Sequence, residues 1–251
     1  MKLITKILGI LLLGISQSLS AQNISKITAD SAYVSQNYKL AIEQYESLLK
    51  QGAAADIYYN LGNSYYKTQQ LGLAIFNYER ALKLNPSDGD IVHNLAVSTA
   101  HTVDKVNEVP QMFLVTWTKS LIYSFSLHFW AFLGVVCFVI AILSIGLYML
   151  ARTIAYRKSG FFLAIASLLI CVLANLFAAH QRYYMKQHNE AIVLSPTVTV
   201  HSTPSTDGTA LFILHEGCKL TIKDGSMNEW KEVQLSDGKV GWISIDDIGI
   251  Y

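Results

Sequence analysis

The chain has 251 residues, of which 52% are hydrophobic and 15% are charged, whereas an ordinary soluble domain has about 25% charged residues. Two acidic regions, residues 22–110 (net −2) and 181–251 (net −3), flank an acid-free region, residues 111–180 (net +4), and two N-terminal lysines bring the total to +1. This distribution argues against a single-core enzyme and against a basic nucleic-acid-binding protein.

Residues 1–21 are typical of a secretory signal peptide. Lys2 and Lys6 form a basic start, a short apolar run follows, and small residues lead up to Ala21. The apolar run is too short to cross about 30 Å of hydrocarbon comfortably. We expect cleavage after Ala21, with an uncleaved anchor as the alternative. Both place residue 22 onward outside the cytoplasm.

Residues 22–108 contain a helical repeat. The segment from Ala55 resembles the tetratricopeptide repeat, in which small residues let two antiparallel helices approach closely. The positions that match the family pattern are Tyr58, Leu61, Gly62, Tyr65, Ala74, Tyr78, Ala81 and Pro86. This resemblance predicts an all-α region of helical hairpins.

A degenerate copy precedes this repeat, and a single capping helix over residues 91–102 follows it. Ala41, Tyr45 and Leu48 repeat the Ala74, Tyr78 and Ala81 spacing 33 positions earlier. Because a short array must bury its faces against something, we expect a cover. The candidates are the segment 111–127, a second copy of the chain, and a partner subunit.

The family resemblance also implies a peptide-binding groove lined by the first helix of each repeat. The residues at the groove positions are Tyr59, Asn60, Asn63, Tyr66, Lys67 and Asn94. They are the predicted partner-binding residues. The alternative is that these side chains only solvate the groove.

The acid-free region predicts a membrane hairpin. Residues 129–151 and 159–180 are long enough to span a bilayer as helices, and the loop 152–158 between them carries three positive charges. Short basic loops stay on the cytoplasmic side. We therefore expect an inner-membrane protein with two spans, a short cytoplasmic loop and both soluble regions in the periplasm.

Residues 111–127 predict an amphipathic helix that lies at the membrane–water interface, on the periplasmic face of the inner membrane. Phe113, Trp117, Leu121 and Phe125 share one helical face, and Pro110 precedes it. The alternative is packing of this face against the preceding helices.

Residues 181–191 predict a linker, and residues 192–251 predict short strands separated by turns. This last region resembles a bacterial SH3-like domain, a small all-β barrel. The residues that carry the resemblance most clearly are Trp230, Gly238, Gly241 and Trp242. The expected fold class is therefore multidomain, with tetratricopeptide hairpins, a two-helix transmembrane hairpin and an SH3-like barrel.

No catalytic, metal or cofactor site is predicted. The three cysteines lie far apart without a C-x-x-C pair, and the histidines have no metal-binding spacing. His215 and Cys218 are three residues apart, which on a strand would place them on opposite faces. We therefore expect a protein that is not an enzyme.

The order of these regions resembles the BatE family of the Bat aerotolerance gene clusters of Bacteroides-type bacteria. The carrying stretches are 102–106, 117–130, 157–162 and 211–217. The resemblance implies a non-catalytic scaffold in an inner-membrane complex. The implied partners are membrane subunits with von Willebrand A-type domains and, less directly, a MoxR-type ATPase. The alternative function is peptidoglycan binding or sensing.

Overall fold

The computed structural model describes residues 26–106, 110 and 112–251, and the predicted signal peptide lies outside these residues. The described residues form two compact units. The repeat–sheet unit contains residues 26–84, 88–106 and 189–251, and the hairpin unit contains residues 85–87, 110 and 112–188. The two regions that flank the apolar helices in the sequence therefore belong to one unit.

Five helices form the first part of the repeat–sheet unit. Residues 26–34 are helical (α1), and the others are α2 (Tyr38–Leu49), α3 (Ala55–Lys67), α4 (Leu71–Leu84) and α5 (Gly89–Ala100). Gln36 and Gln69, which lie 33 positions apart in the turns after α1 and α3, both have φ of 61°. The degenerate copy and the clear repeat thus turn in the same way.

The residues that match the family pattern form the core of these helices. The exposed fraction is 5% for Tyr58, 2% for Leu61 and 1% for Tyr78, and Ala74 and Ala81 are fully buried. Tyr45 and Leu48 of the degenerate copy join the same core. The small and bulky residues of the repeat pattern therefore form the contact between the antiparallel helices.

We expect Gly62→Ala to lower the free energy of unfolding by about 1–3 kcal/mol, because overpacking of a tight core has this cost. A Cβ at Gly62 would stand 2.7 Å from two ring carbons of Tyr78 and 3.2 Å from the carbonyl oxygen of Ala74. The Tyr78 ring is held in place, since its hydroxyl donates to Asn63 over 2.7 Å. Urea unfolding of the full chain in detergent, followed by circular dichroism, measures the loss.

The control is Gly89→Ala at the start of α5. A Cβ there meets nothing within 4 Å, and alanine is the better helix former. We expect no loss of stability in this variant. Equal losses in the two variants would contradict the close approach of α3 and α4.

The C-terminal part of the unit is one antiparallel sheet of seven strands. They are β1 (Glu190–Val193), β2 (Thr197–His201), β3 (Ala210–His215), β4 (Lys219–Asp224), β5 (Trp230–Gln234), β6 (Val240–Ser244) and β7 (Ile248–Ile250). Their order in the sheet is β3-β2-β6-β5-β4-β1-β7. Val193, Val200, Leu220, Val233 and Ile243 are the centre of its apolar core.

The predicted closure of this sheet into a barrel is not confirmed. Among the described strands, β3 and β7 are the two ends of the sheet and do not pair with each other. β2 pairs with β3 along most of its length, with a bulge at Val200 and His201, but it pairs with β6 only at His201 opposite Trp242. The seven strands thus form an open antiparallel sheet.

The sheet packs against α4 of the repeat. Ile75, Ile192 and Tyr251 form a buried cluster, with exposed fractions of 2%, 0% and 4%. Glycines allow the close approach, because a Cβ at Gly249 would stand 2.8 Å from the ring of Phe76. A face of the short array is therefore covered by the C-terminal region of the same chain. This region was not among the three candidates expected from the sequence, which were segment 111–127, a second copy of the chain and a partner subunit.

Charged groups join the same interface. Lys219 Nζ lies 3.0 Å from both carboxylate oxygens of Glu79 and 3.4 Å from Glu190 Oε1. Burial alone would lower the pKa of Lys219, but the two carboxylates outweigh it and raise this pKa above its ordinary value. Asp104 adds a second link, since one carboxylate oxygen accepts the backbone N–H of His215 at 2.6 Å and the other lies 3.0 Å from His215 Nδ1.

The hairpin unit contains α6 (Phe113–Tyr123), α7 (Leu127–Leu150) and α8 (Ile154–Lys186). α7 and α8 pack closely as an antiparallel pair, because small residues lie between them. A Cβ at Gly160 would stand 2.8 Å from the carbonyl oxygen of Ser144, and one at Gly134 would stand 2.8 Å from Asn175 Nδ2. Ser144 itself is 4% exposed.

Large apolar side chains are exposed along α7 and α8. Phe132, Leu143 and Phe162 have exposed fractions of 67–69%. Both helices are long and apolar enough to cross a membrane, as judged by length and composition.

The helix bounds differ from the predicted segments, most of all in α8. α8 begins at Ile154 and continues to Lys186, so the predicted loop 152–158 is helical from 154 and the predicted linker 181–191 is helical up to 186. The extension past residue 180 has a cause, because Gln181 is 1% exposed and its amide donates to the backbone carbonyls of Ile122 and Phe125.

The predicted interfacial helix 111–127 corresponds to the shorter α6. It stops at Tyr123 because Ser126 is already the N-cap of α7 and accepts the backbone N–H of Phe129 over 3.2 Å. The indole of Trp130 donates to the carbonyl of Ile122, which ties the end of α6 to α7. Phe113 and Trp117 on α6 are exposed.

Candidate functional site

A pocket of about 280 Å³ opens between the helices of the repeat. Most of its lining comes from α1, α3 and α5, which are the first helices of successive repeat units. The lining residues are Tyr33, Tyr59, Asn63, Tyr66, Lys67, Tyr78, Asn94, Val97 and Ser98. Five of the six predicted groove residues are therefore brought together.

The floor of the pocket is a hydrogen-bonded network of amides and phenols. Asn94 Nδ2 donates to Tyr59 Oη at 3.0 Å and to Asn63 Oδ1 at 2.9 Å, and the Tyr78 hydroxyl donates to the same Asn63 oxygen at 2.7 Å. Burial raises the pKa of Tyr78, so this phenol stays protonated and remains a donor. The network fixes the pocket walls before any ligand arrives.

Asn60 is the predicted groove residue that does not line the pocket. Its amide donates to Asp30 Oδ1 at 3.1 Å, and the Tyr45 hydroxyl donates to the same oxygen at 2.6 Å. Burial is the main cause that raises the pKa of Tyr45, followed by this bond to Asp30. Asp30 on α1 thus links α2 and α3 through these two bonds.

Four lining residues, Tyr33, Tyr78, Val97 and Ser98, were not among the predicted groove residues. The repeat period carries a signal for Tyr33, since it lies 33 positions before Tyr66. Tyr78 has two roles, because its ring fills the helix seam while its hydroxyl reaches the pocket network.

The pocket surface is aromatic and polar, with one formal charge among its lining residues. The half-buried rings of Tyr33, Tyr59 and Tyr66 provide flat contact surfaces. The amides of Asn63 and Asn94 provide hydrogen-bonding groups. Lys67 is exposed at the rim. Such a surface suits a peptide segment with an apolar or aromatic anchor and an acidic neighbour.

The residues that suggested an SH3-like domain lie in the strands and one turn of the sheet. Trp230 opens β5, and its ring lies edge-on to His201 at 5.7 Å between centroids. Gly238 has φ of 93° in the turn before β6, and a Cβ at Gly241 would stand 2.5 Å from Val200 Cγ1. Trp242 is half-buried on β6. Their places are those of structural residues in a tight sheet.

His215 and Cys218 do not form a nucleophile–base pair. They stand on either side of the turn between β3 and β4, where the N–H of Cys218 donates to the carbonyl of His215. Burial raises the pKa of the Cys218 thiol to about 12, so the thiolate does not form near neutral pH. The imidazole of His215 instead faces Asp104. The two residues are held apart by this turn and by Asp104, rather than by opposite faces of one strand.

Comparison with known proteins identifies part of the chain. Residues 55–88 match the family profile of the tetratricopeptide repeat. The match covers α3 and α4 and confirms the clear repeat predicted from the spacing. No curated protein matches the chain. A repeat of this family suggests a scaffold for protein–protein interaction.

Proposed function

We propose that the chain is a non-catalytic, membrane-anchored scaffold that holds a segment of a partner protein in the repeat pocket. The observation that carries this proposal is the pocket itself. Its lining comes mainly from the first helices of the degenerate copy and the clear repeat and from the capping helix, and its polar floor is internally hydrogen-bonded. A preorganised aromatic surface of this kind binds with little loss of side-chain entropy.

The partners in this proposal are membrane subunits with von Willebrand A-type domains, in a Bat-type complex linked to aerotolerance. A MoxR-type ATPase would join indirectly through those subunits. This part rests on the resemblance of the region order to the BatE family. The tetratricopeptide match and the pocket support protein partners in general.

The proposed place is the bacterial inner membrane, with both soluble regions in the periplasm. The three basic residues near the hairpin turn, Arg152, Arg157 and Lys158, favour a cytoplasmic turn. The contacts between Glu79 and Lys219 and between Asp104 and His215 support a common compartment for the repeat and the sheet. Two spans between them satisfy that requirement.

The test is site-specific photo-crosslinking in native membranes. A photoreactive residue at position Lys67 on the pocket rim should capture a von Willebrand A-type subunit. Replacement of the neighbouring aromatic residue, Tyr66→Ala, should reduce that product at least about tenfold, because a tyrosine anchor in a binding pocket contributes more than one power of ten in affinity. The product is identified by mass spectrometry.

The matched control is the same photoreactive residue at position Lys39. This lysine is also exposed, but it lies on α2 and outside the pocket lining. We expect no such product from position 39. Equal capture at both positions, or none at position 67, would contradict a partner site in the pocket.

Peptidoglycan binding through the C-terminal sheet is the alternative function, and it rests on the SH3-like residues of that sheet. It predicts that the full chain in detergent sediments with purified sacculi, and that Trp242→Ala reduces the sedimented fraction. A scaffold without cell-wall affinity would stay in the supernatant in both forms.

A further inference from the structure

A second pocket, of about 480 Å³, lies at the turn of the membrane hairpin. Tyr148 near the end of α7 forms one wall. The other wall belongs to the first two turns of α8 and contains Ile154, Arg157, Lys158, Phe161 and Phe162. All these residues belong to the hairpin unit.

Along α8, the basic lining residues come before the aromatic ones, as the charged headgroup and the apolar chains of a lipid at the membrane surface would require. Arg157 and Lys158 precede Phe161 and Phe162 by four residues, which is about 6 Å along the helix axis at 1.5 Å per residue. Residues at this spacing share one helix face. The cations therefore stand at the turn end of the pocket, and exposed aromatic rings stand one turn further into the apolar span.

The charge of this pocket is not balanced by acidic residues of the hairpin. Residues 110–188 contain no aspartate or glutamate. The guanidinium of Arg157 lies over the Tyr148 ring, with Cζ 5.5 Å from the ring centroid. This cation–π contact orients the guanidinium while its N–H groups keep their capacity for an anion.

We propose that this pocket binds the phosphate of an anionic phospholipid, with the acyl chains against Phe161 and Phe162. The proposal rests on the membrane placement proposed above and adds a ligand to it. A free phosphate ion would use the cations but leave the aromatic surface without a contact. A lipid uses both, and basic pockets between spanning helices are suited to anionic headgroups.

Only some of the basic residues near the turn line the pocket. Arg152 carries the same charge and lies just before α8, but it does not line the pocket. If the basic residues only set the orientation of the hairpin, substitution of Arg152 and of Arg157 should have the same effect on lipid binding. If the pocket is a lipid site, only the substitution of Arg157 should weaken lipid binding.

The test measures lipid binding to the purified full chain in detergent by native mass spectrometry. The probes are phosphatidylglycerol and phosphatidylethanolamine with identical acyl chains, and inorganic phosphate is the competitor. We expect phosphatidylglycerol to bind more tightly than phosphatidylethanolamine. Arg157→Gln and Lys158→Gln should each lower the affinity for phosphatidylglycerol about fivefold. The matched control Arg152→Gln should change this affinity less than about twofold.

Three results would overturn the lipid site. They are equal binding of the two lipids, equal loss in Arg152→Gln and Arg157→Gln, and displacement of the lipid by millimolar inorganic phosphate. Extraction of native membranes with alkaline carbonate tests the membrane placement separately from the lipid site. Release of the wild-type chain would overturn both proposals, whereas a retained chain without lipid preference overturns the lipid site alone.

Discussion

Residues 26–106 joined to residues 189–251 by a flexible glycine–serine linker should fold as one soluble monomer, whereas residues 26–106 alone should be much less stable. The joined protein keeps the described residues of the repeat and the sheet and omits residues 1–25 and 107–188. We expect the free energy of unfolding to differ between the two proteins by at least about 3 kcal/mol, since each large apolar side chain that is fully buried contributes about 1.5–3 kcal/mol.

The physical reason is the cluster of Ile75, Ile192 and Tyr251. Ile75 lies on α4 and is 2% exposed in the presence of the sheet, but the shorter protein lacks the strands that cover it. The interface also contains the bond from the backbone N–H of Gly72 to Glu216 Oε2 at 3.0 Å. Loss of the sheet therefore exposes apolar surface and leaves polar groups of α4 without their partners.

Urea unfolding at several protein concentrations measures the difference. A concentration-independent transition in the joined protein is expected, together with self-association or an early transition in the shorter one. The contradicting result is a shorter protein that is monomeric and unfolds at the same urea concentration as the joined protein. The repeat would then need no cover from the sheet.

The second large effect is expected from the charged part of the interface. Glu79→Gln should lower the free energy of unfolding by about 2 kcal/mol, below the 3–5 kcal/mol typical of a broken buried pair, because Lys219 is partly exposed to solvent and its charge is screened. The Glu79 side chain is 10% exposed and that of Lys219 is 40% exposed. Lys219 would keep Glu190 as its remaining carboxylate partner.

A double-mutant cycle separates the pair from the general effect of substitution. In a Lys219→Met background, Glu79→Gln should cost much less than in the wild type. The matched control is Glu43→Gln on α2, an exposed glutamate for which a change within about 0.5 kcal/mol is expected. Equal effects of Glu79→Gln in both backgrounds would show that the two side chains are not coupled.

Local patterns predicted the individual elements well. The spacing from Tyr58 to Pro86 identified α3 and α4, because bulky and small residues must alternate in a fixed order where two helices meet. Long uncharged runs identified α7 and α8, since hydrocarbon thickness sets a minimum helix length. In both cases the physical constraint acts within a short stretch of sequence.

Contacts between distant segments were not predictable in the same way. Glu79 and Lys219 are 140 positions apart, and each alone is an ordinary surface charge in its local pattern. The extension of α8 to Lys186 depends on Gln181, whose partners lie 56 and 59 positions earlier. Asn60 was expected to line the pocket, but its amide is bound to Asp30, a residue 30 positions earlier that the local pattern did not single out.

The covered face of α4 also has a consequence for biogenesis. The repeat helices leave the ribosome first, while the strands that cover them follow the two apolar helices in the chain. In the proposed topology, the repeat must wait outside the cytoplasm until both spans are inserted and the last 63 residues are translocated. A chain in which only one of the two spans inserts would have its repeat and its sheet on opposite sides of the membrane, and Ile75 would stay uncovered. Assembly of this interface therefore requires that both spans are inserted, and a periplasmic protease that attacks uncovered repeats would remove chains with a single inserted span.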